Sequence, residues 1–342
     1  MTGRPGTESR ENQGKRLIKI GSPIDPGRVA PGARLGNEPG MSTNSVETLN
    51  EKSAEADLKD PNLIKIRDLI YRISAIYHAE NKFYLLATRT RRRMAALGVA
   101  TFSDYYETLT TRPNRDVEMR SLLNEITIGE TYFFRSSAQL EALSKIILPK
   151  LVAMPSKQSF KKLRIWSAGC STGEEPYTLS ILLHERLVQA HKGWTFEIVA
   201  TDLNENSVTK CKEGVYAEYA MRNLNEQMRG KYFKQEGNLY RVKDEVRTAV
   251  KFERLNLQDQ SKLLFMKGFD LIFCCNVPIY FDGVAKKRTV EHFYNGLVPG
   301  GYFFLGECET LFGIYDQFHL VHFPGSTGYL KPAPGESAGV KG

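Results

Sequence analysis

The stretch that decides the fold is Arg164-Ile165-Trp166-Ser167-Ala168-Gly169-Cys170-Ser171-Thr172-Gly173-Glu174-Glu175-Pro176-Tyr177. It predicts a buried strand, a glycine turn and the first turn of a helix, the geometry that holds a nucleotide-like cofactor at the edge of a parallel sheet. A helix N-terminus attracts anions, but the two glutamates would repel a phosphate there. Because they favour a cation, they indicate a ligand with an adenosine body and a cationic amino-acid tail, such as S-adenosylmethionine.

The residues after this stretch support the same interpretation. A strand predicted over 196–201 ends in Asp202, and an acidic residue at the tip of the second strand can accept hydrogen bonds from both ribose hydroxyls. Glu174 is the candidate partner of the ligand's ammonium group. No Gly-Lys-Ser/Thr follows the turn, which argues against a P-loop, and the absence of Gly-x-Gly-x-x-Gly disfavours a nicotinamide cofactor. The structural alternative is that the glycines only allow tight packing and that Asp202 caps a helix.

Length and composition limit the class of protein. The 342 residues allow about two domains, and no stretch approaches the roughly 18 apolar residues of a membrane span. The polar N-terminus lacks the apolar segment of a secretory signal. The five cysteines show no metal-binding spacing, so we expect no metal site and a cytoplasmic location. The net charge of +8 suggests an acidic partner.

Local composition and hydrophobic pattern divide the chain into four predicted regions. Residues 1–57 are rich in Gly, Pro, Ser, Asn and Glu and predict a disordered tail. Residues 58–150 form an all-helical domain, with predicted helices from Asp60-Pro61, over 81–97, from an N-cap at Ser103, over 115–126, and from Ser136 or Ser137 to Pro149. The pattern of residues 151–334 predicts alternating strands and helices, and residues 335–342 are predicted to be a flexible C-terminus.

The alternation predicts an α/β fold with a parallel, doubly wound sheet. Strands are predicted over 163–167, 196–201, 249–253, 269–274 and 301–305, and helices over 174–190, 205–212 and 284–297. A small antiparallel β-insert is predicted at about 231–252, from strands 231–233, 239–242 and 248–252. Asn256-Leu257 and Asn276 follow predicted strands, where the ligands of such sheets bind. Each asparagine would contact the adenine edge or cap a local turn.

Together these residues resemble the chemotaxis-receptor methyltransferase family, CheR, from about residue 63 to 331. Residues 166–177 resemble the family's cofactor motif, and 130–135 (Glu-Thr-Tyr-Phe-Phe-Arg) resemble the motif before it. Further matches lie at 214–216, 276–282 and 299–302. The resemblance implies a Rossmann-like S-adenosylmethionine-dependent methyltransferase sheet with an N-terminal helical domain. It implies methylation of chemoreceptor glutamates to methyl esters, with S-adenosylhomocysteine as product.

The resemblance also implies roles for individual residues. The cofactor would be bound by Thr131, Arg135, Ala168, Gly169, Glu174, Asp202, Asn256, Leu257 and Asn276. Arg135 and Tyr280 would lie nearest the transferring methyl, and the β-insert would correspond to a subdomain that binds a receptor tail peptide in some members. A substrate carboxylate is already ionised near pH 7 and needs no base. A guanidinium at Arg135 would orient it and oppose the rise in pKa that burial causes.

A basic run on the second helix is a candidate docking surface for the partner, the cytoplasmic helices of a chemoreceptor. It consists of Arg89, Arg91, Arg92 and Arg93. The charges would steer encounter with an acidic helix, but a solvated helix face is an equally good explanation of such a run. We expect a monomer that binds no nucleic acid and inserts into no membrane.

The chain departs from the family pattern around the substrate side of the cleft. Gly129 stands in place of Asn, Cys275 in place of Arg, Pro278 in place of an aliphatic residue, and Glu307-Cys308 in place of His-Ser. Ala75 occupies a helix-end glycine position. These changes favour a second hypothesis. In it, the protein binds the cofactor but has weakened catalysis and acts as a partner-binding or sensing module. A methyltransferase for RNA or small molecules is disfavoured, because no Asn/Asp-Pro-Pro-Tyr motif is present.

Overall fold

A computed structural model describes residues 57–127 and 129–335. The predicted tail therefore lies outside the described residues except for Asp57, and so does the predicted C-terminus except for Gly335. No helix in the described part is long and apolar enough to cross a membrane.

The first described region is all-helical, as predicted. Its helices are α1 (Pro61–Ser74), α2 (Phe83–Leu97), α3 (Phe102–Thr110) and α4 (Arg115–Ile126), with a 3₁₀ turn at Glu80–Lys82. Asp60 caps α1 by accepting the N–H of Asn62, and Gly98 ends α2 with a left-handed backbone. The predicted cap at Ser103 is wrong. Thr101 caps α3 instead, because its hydroxyl accepts the N–H of Asp104.

The connecting segment is helical for longer than predicted. α5 (Ser137–Ala142) continues through a π-helical turn at Leu143–Ile147 into α6 (Leu148–Ala153), and α7 (Pro155–Gln158) follows. The prediction that this helix ends at Pro149 is wrong. Pro149 lies in the first turn of α6, directly after the wider π-helical turn. Proline lacks an N–H and is tolerated in the first turn of a helix.

The rest of the chain forms a seven-stranded, mostly parallel sheet. Its strands are β1 (Lys162–Ala168), β2 (Thr195–Asp202), β6 (Val250–Arg254), β7 (Phe269–Cys274), β8 (Leu297–Leu305), β9 (His319–Phe323) and β10 (Ser326–Leu330), in the order β6-β2-β1-β7-β8-β10-β9. β10 is antiparallel to β8 and to β9. The hairpin of β9 and β10 was not among the predicted strands. The order reverses between β1 and β7, which is where doubly wound sheets bind ligands.

Helices cover both faces of this sheet. They are α8 (Glu174–Leu183, continued by a π-helical turn at His184–Val188), α9 (Glu205–Glu213), α12 (Gln260–Leu263) and α13 (Gly283–Gly296), with 3₁₀ turns at Glu218–Met221 and Pro278–Tyr280. One apolar cluster joins α5, α6 and α8 to one face, and Trp166, Phe293 and Phe303 belong to a second cluster on the other face. This parallel sheet with helices on both faces matches the fold class predicted from the sequence.

A small antiparallel sheet lies between β2 and β6 in the chain. It consists of β3 (Val215–Ala217), β5 (Leu239–Val242) and β4 (Phe233–Glu236) in that order, with α10 (Glu226–Tyr232) before β4 and α11 (Asp244–Arg247) after β5. The predicted third strand over 248–252 is wrong, because Val250–Arg254 pairs in parallel with β2 in the large sheet. β3 was not among the predicted strands, because three residues are too few to show the alternation of apolar and polar residues that indicates a strand.

Candidate active site

A cavity of about 320 Å³ opens at the carboxyl edge of β1, β2, β6 and β7. Eight of the predicted site residues line it: Thr131, Arg135, Gly169, Asp202, Asn256, Leu257, Asn276 and Tyr280. The helical domain contributes Ser74, Ile76, Ile126 and Thr127, a wall that was not predicted. The site is therefore built from both regions of the chain.

The glycine loop forms the floor of the cavity. The N–H groups of Gly169 and Cys170 both donate to the Thr201 carbonyl, at 2.7 and 3.0 Å, which fixes the loop to the end of β2. Gly169 and Gly173 have φ of 78° and 98°, where glycine is strongly favoured. A Cβ at Gly169 would lie 2.3 Å from Cγ2 of Val277, so no larger residue fits beneath the ligand.

Asp202 lies at the end of β2 as predicted and lines the cavity. Its Oδ2 accepts the N–H of Ser171 at 2.7 Å, and its Oδ1 accepts the N–H of Asn204 at 2.8 Å. Burial raises the pKa of Asp202 to about 6. Each oxygen keeps acceptor capacity for a ligand hydroxyl.

The two glutamates at the start of α8 point to different places. Glu174, the predicted ammonium partner, does not line the cavity. It is 4% exposed, and its Oε2 accepts the hydroxyl of Thr172 at 2.7 Å. Glu175 lines the cavity and accepts the hydroxyl of Ser167 at 2.7 Å. Burial raises the pKa of both carboxyls. Neighbouring helical residues differ by about 100° in direction, so the side chain next to the predicted Glu174 is the one that faces the cavity.

Two further predicted residues are placed differently from expectation. Ala168 ends β1 with 1% exposure and does not line the cavity. The side chain of Asn256 lines it, but its Nδ2 donates to the Ile73 carbonyl at 2.6 Å and its Oδ1 accepts the N–H of Gln258 at 3.0 Å. This amide therefore fastens the end of α1 to the cavity edge, which is the capping alternative rather than adenine contact.

Asn276 lies on a loop that a neighbouring carboxylate holds in place. Its φ is 61°, in the left-handed region that few residues other than glycine adopt. Glu309 accepts the N–H groups of Asn276 and Gly306, both at 2.8 Å, and that of Ile279 at 3.0 Å. Glu309 was not predicted as a site residue, although it falls in the segment compared with the family's His-Ser-Glu. It keeps the loop from Asn276 to Tyr280 in register.

Arg135 and Tyr280 both line the cavity and both are exposed, which places them at its mouth. Arg135 is exposed, donates to the Glu130 carbonyl at 2.8 Å, and lies 5.7 Å from the centre of the Tyr132 ring. Its charge lowers the pKa of Glu175, although burial of Glu175 outweighs that effect. Tyr280 is 46% exposed, and its carbonyl accepts the N–H of Tyr77 at 2.8 Å. A guanidinium and a phenol thus face an entering substrate.

The residues that depart from the family pattern lie in different environments. A Cβ at Gly129 would lie 2.9 Å from Oγ of Ser171, so Ser171 fills that space. Cys275 lines the cavity, its thiol donates to Oε1 of Gln139 at 3.9 Å, and burial raises the pKa of this thiol. Pro278 begins the 3₁₀ turn that carries Tyr280. Glu307 is exposed and lies outside the cavity lining.

The four arginines of α2 all make contacts within the chain. Arg89 donates to the Ile126 carbonyl, Arg91 pairs with Asp57, Arg92 with Glu125 and Arg93 with Glu118. Arg93 and Glu118 are 24% and 4% exposed, so this pair is structural, whereas Arg92 is 66% exposed. Arg89 and Arg93 are thus committed to the fold, and a docking role for the run remains a prediction.

The cavity suits a cofactor with the predicted chemistry. Its volume lies in the range of ligand sites in proteins, about 300–1,000 Å³. The lining combines the carboxyls of Asp202 and Glu175 with a glycine loop that leaves no room for larger side chains. The lining holds three acids, Glu130, Glu175 and Asp202, against one arginine, Arg135, and no lysine. This balance disfavours a phosphate and favours ribose hydroxyls and an ammonium group.

Comparison with known proteins agrees with this geometry. Residues 61–127 match the CheR methyltransferase all-alpha domain, and residues 129–326 match the CheR methyltransferase SAM binding domain. The chain belongs to the CheR methyltransferase family. Membership confirms the resemblance found in the sequence, the α/β fold class, and S-adenosylmethionine as cofactor with S-adenosylhomocysteine as product.

Curated relatives share most of their length with this CheR chain. It is 33% identical over 285 residues to chemotaxis protein methyltransferase 2 of Vibrio cholerae, covering 83% of this chain and 97% of that protein. It is 32% identical over 274 residues to the chemotaxis protein methyltransferase of Borreliella burgdorferi, covering 80% and 95%. The chain is therefore a methyltransferase, and the similarity extends over both the helical domain and the sheet.

Proposed function

We propose that this protein transfers the methyl group of S-adenosylmethionine to glutamate side chains on the cytoplasmic helices of chemoreceptors, giving methyl esters. The observation that carries the proposal is a single cavity lined both by the exposed side chains of Arg135 and Tyr280 and by the desolvated carboxyls of Asp202 and Glu175. An arginine at the entrance suits a carboxylate substrate, since guanidinium groups bind carboxylates well. We further propose that the enzyme acts as a monomer in the cytoplasm.

The carboxyl groups inside the cavity bind and orient the cofactor. Asp202 accepts the ribose hydroxyls while the N–H groups of Ser171 and Asn204 hold it in place. Glu175, oriented by Ser167, accepts the ammonium group. We propose Glu175 rather than Glu174 for this contact, because Glu174 does not line the cavity. Bound in this way, S-adenosylmethionine supplies an activated methyl group on a sulfonium centre.

The residues at the mouth act on the substrate. A glutamate has an ordinary pKa of about 4.3 and enters ionised near pH 7, so the chain need supply no base. Arg135 keeps the entering carboxylate ionised and sets the direction of its oxygen. Tyr280 lies on a loop fixed by Glu309 and by the N–H of Tyr77, and its ring narrows the entrance. Positioning of this kind can account for much of the rate acceleration of a bimolecular reaction.

A methyl-transfer assay tests the proposal. The purified full-length protein is incubated with methyl-labelled S-adenosylmethionine and the purified cytoplasmic fragment of a chemoreceptor from the same organism. We expect label on the receptor that mild alkali releases as methanol, the signature of an ester. Binding of S-adenosylhomocysteine without any labelled receptor would instead support the weakened, partner-binding module, which Cys275 in place of the family's arginine favours.

A further inference from the structure

A second depression lies beside the cofactor cavity, across the turn Pro278–Tyr280. Its volume is about 170 Å³. Residues from this turn, from α13 and from the segment after β8 line it: Pro278, Ile279, Lys286, Val290, Cys308 and Leu311, among others. Ile279 lines both the cavity and this groove. The two are therefore neighbours separated by one side chain.

The groove has an apolar rim and one free positive charge. Ile279 is 52% exposed, and Phe312, the neighbour of the lining residue Leu311, is 92% exposed. Exposed large apolar side chains grouped beside a depression are typical of an interaction surface. Among the residues in the described ranges, Lys286 has no hydrogen-bonding or ion-pair partner for its ammonium group. Glu309, the acid in the lining, is committed to three N–H groups.

We propose that this groove is a substrate-recognition subsite that receives an apolar side chain of the methyl-accepting protein, presented on an acidic amphipathic helix. The proposal rests on the proposed function and adds to it the part of the enzyme that selects among glutamates. Residues three or four apart on a helix lie about 5–6 Å from one another. A helix that places its glutamate at Tyr280 therefore places the residue one turn away across Ile279, over the groove.

The charge of the groove agrees with this occupant. A helix that carries several methyl-accepting glutamates is acidic, and Lys286 would contact a carboxylate next to the inserted apolar side chain. An apolar anchor flanked by a charge pair gives both affinity and register. The groove is continuous with the active-site mouth through Ile279, so one helix engages both sites at once.

Steady-state kinetics of a double variant test the subsite. Lys286→Glu combined with Phe312→Ser alters the groove without touching the cofactor cavity lining. Lys287→Glu with Phe265→Ser is the matched control, since Lys287 is the exposed neighbour of Lys286 and Phe265 is 85% exposed in the loop before β7, at the other edge of the sheet. Each protein is assayed for kcat, for KM toward the receptor fragment, and for S-adenosylhomocysteine affinity.

We expect the double variant to raise KM about tenfold or more, as the loss of an interface anchor does. Its kcat and its S-adenosylhomocysteine affinity should stay near those of the wild type, and the control pair should keep the wild-type KM. If the wild type is active and the groove variant has an unchanged KM, the subsite proposal is overturned while the proposed function stands. A wild type that gives no ester on the receptor overturns the proposed function first.

Cys308 offers an independent footprint of the groove. It lines the groove and is exposed, whereas Cys170, Cys211 and Cys274 are buried and Cys275 is half-buried. With S-adenosylhomocysteine present, we expect the receptor fragment to slow alkylation of Cys308 by N-ethylmaleimide. Alkylation at an unchanged rate contradicts the proposal. Protection that rises with enzyme concentration alone would show that a second copy of this chain covers the groove, and would also overturn it.

Discussion

The carboxylate of Glu309 accepts the main-chain N–H of Asn276 at 2.8 Å. The same carboxylate accepts the N–H groups of Ile279 and Gly306, so a single side chain fixes the loop that carries Asn276 and Tyr280. Asn276 keeps a left-handed backbone there, with a φ of 61°. The cofactor edge and the substrate mouth thus depend on a residue that lies outside the cofactor cavity.

Replacing Glu309 should loosen this loop. Glu309→Ala leaves three N–H groups without their acceptor, at about 1–3 kcal/mol for each that stays buried. We expect S-adenosylhomocysteine affinity to fall about tenfold or more and kcat to fall with it, and Glu309→Gln to recover part of both. Calorimetric titration measures the affinity. Glu307→Ala, two residues away and exposed, is the control that should change neither.

Arg135 should matter more for turnover than for cofactor binding. Its side chain faces the mouth, so Arg135→Ala should lower kcat by about 100-fold, the order expected when a reactant loses its orientation. S-adenosylhomocysteine affinity should change only a little. Arg222→Ala is the matched control, because Arg222 lies 3.4 Å from the same Tyr132 ring and does not line the cavity. Equal kcat in the wild type and Arg135→Ala would remove Arg135 from the mechanism.

Cofactor affinity should depend on pH through Asp202. Burial raises the pKa of this carboxyl to about 6, so its protonated fraction grows as the pH falls through that value. Only the ionised form offers every oxygen lone pair to the ribose hydroxyls. We therefore expect S-adenosylhomocysteine to bind more weakly at pH 5.5 than at pH 7.5, by about threefold or more for one group of this pKa. Glu175, whose pKa burial also raises, would act in the same direction.

Measuring the S-adenosylhomocysteine affinity of two variants between pH 5.5 and 7.5 checks whether Asp202 is the source of this pH dependence. Asp202→Asn should bind weakly and lose most of the dependence. Glu253→Gln, an exposed neighbour on β6 outside the cavity, should keep it. A wild-type affinity that is constant between pH 5.5 and 7.5 would show that ionisation of Asp202 plays no part.

Adjacent arginines of α2 should differ sharply in their effect on stability. Arg93→Ala leaves the buried carboxylate of Glu118 with only the Tyr105 hydroxyl, and losing one partner of a buried pair costs about 3–5 kcal/mol. Arg92→Ala breaks an exposed pair and should stay within about 1 kcal/mol of the wild type. Denaturant unfolding measures both. Similar losses in the two variants would mean that the Arg93–Glu118 contact is not structural.

Receptor docking by the exposed part of this run is a separate prediction. Arg91→Glu with Arg92→Glu should weaken methylation of the receptor fragment at low salt and less so at high salt, because the surface charges act mainly on encounter. The variant must first be shown to fold, since Arg91 also pairs with Asp57. Receptor methylation at the wild-type rate in low salt would leave the run as a solvated helix face.

The sequence predicted the fold correctly where a single segment contains both the residue pattern of a strand and the residues that end it. β1, β2 and β7 are β-branched or aromatic runs that end in a glycine turn or a polar residue, and their predicted bounds differ from the observed ones by at most a few residues. The hairpin of β9 and β10 was missed, although Pro324-Gly325 between two short apolar runs was available as a turn signal. β10 joins the sheet by pairing with β8, a long-range contact, and β9 pairs with β10.

The site was predicted less completely, because side-chain direction depends on tertiary contacts. The sequence placed two glutamates at the start of α8, but only the rotation of that turn decides that Glu175 faces the cavity. Asn256 lies at the predicted edge, but the approach of α1 brings the Ile73 carbonyl to its amide. The wall formed by Ile76 and Ile126 could not be predicted without knowing where the helical domain packs.

Mapping the transferred methyl group tests the central claim most directly. The receptor fragment is incubated with the enzyme and S-adenosylmethionine, digested, and analysed by mass spectrometry with and without mild alkali. The account predicts a methyl ester on glutamate residues of an acidic helix, removed by alkali and absent when the modified glutamate is replaced by alanine. Methyl groups stable to alkali or attached to another residue type, or no methylation by an enzyme that binds S-adenosylhomocysteine, would contradict it.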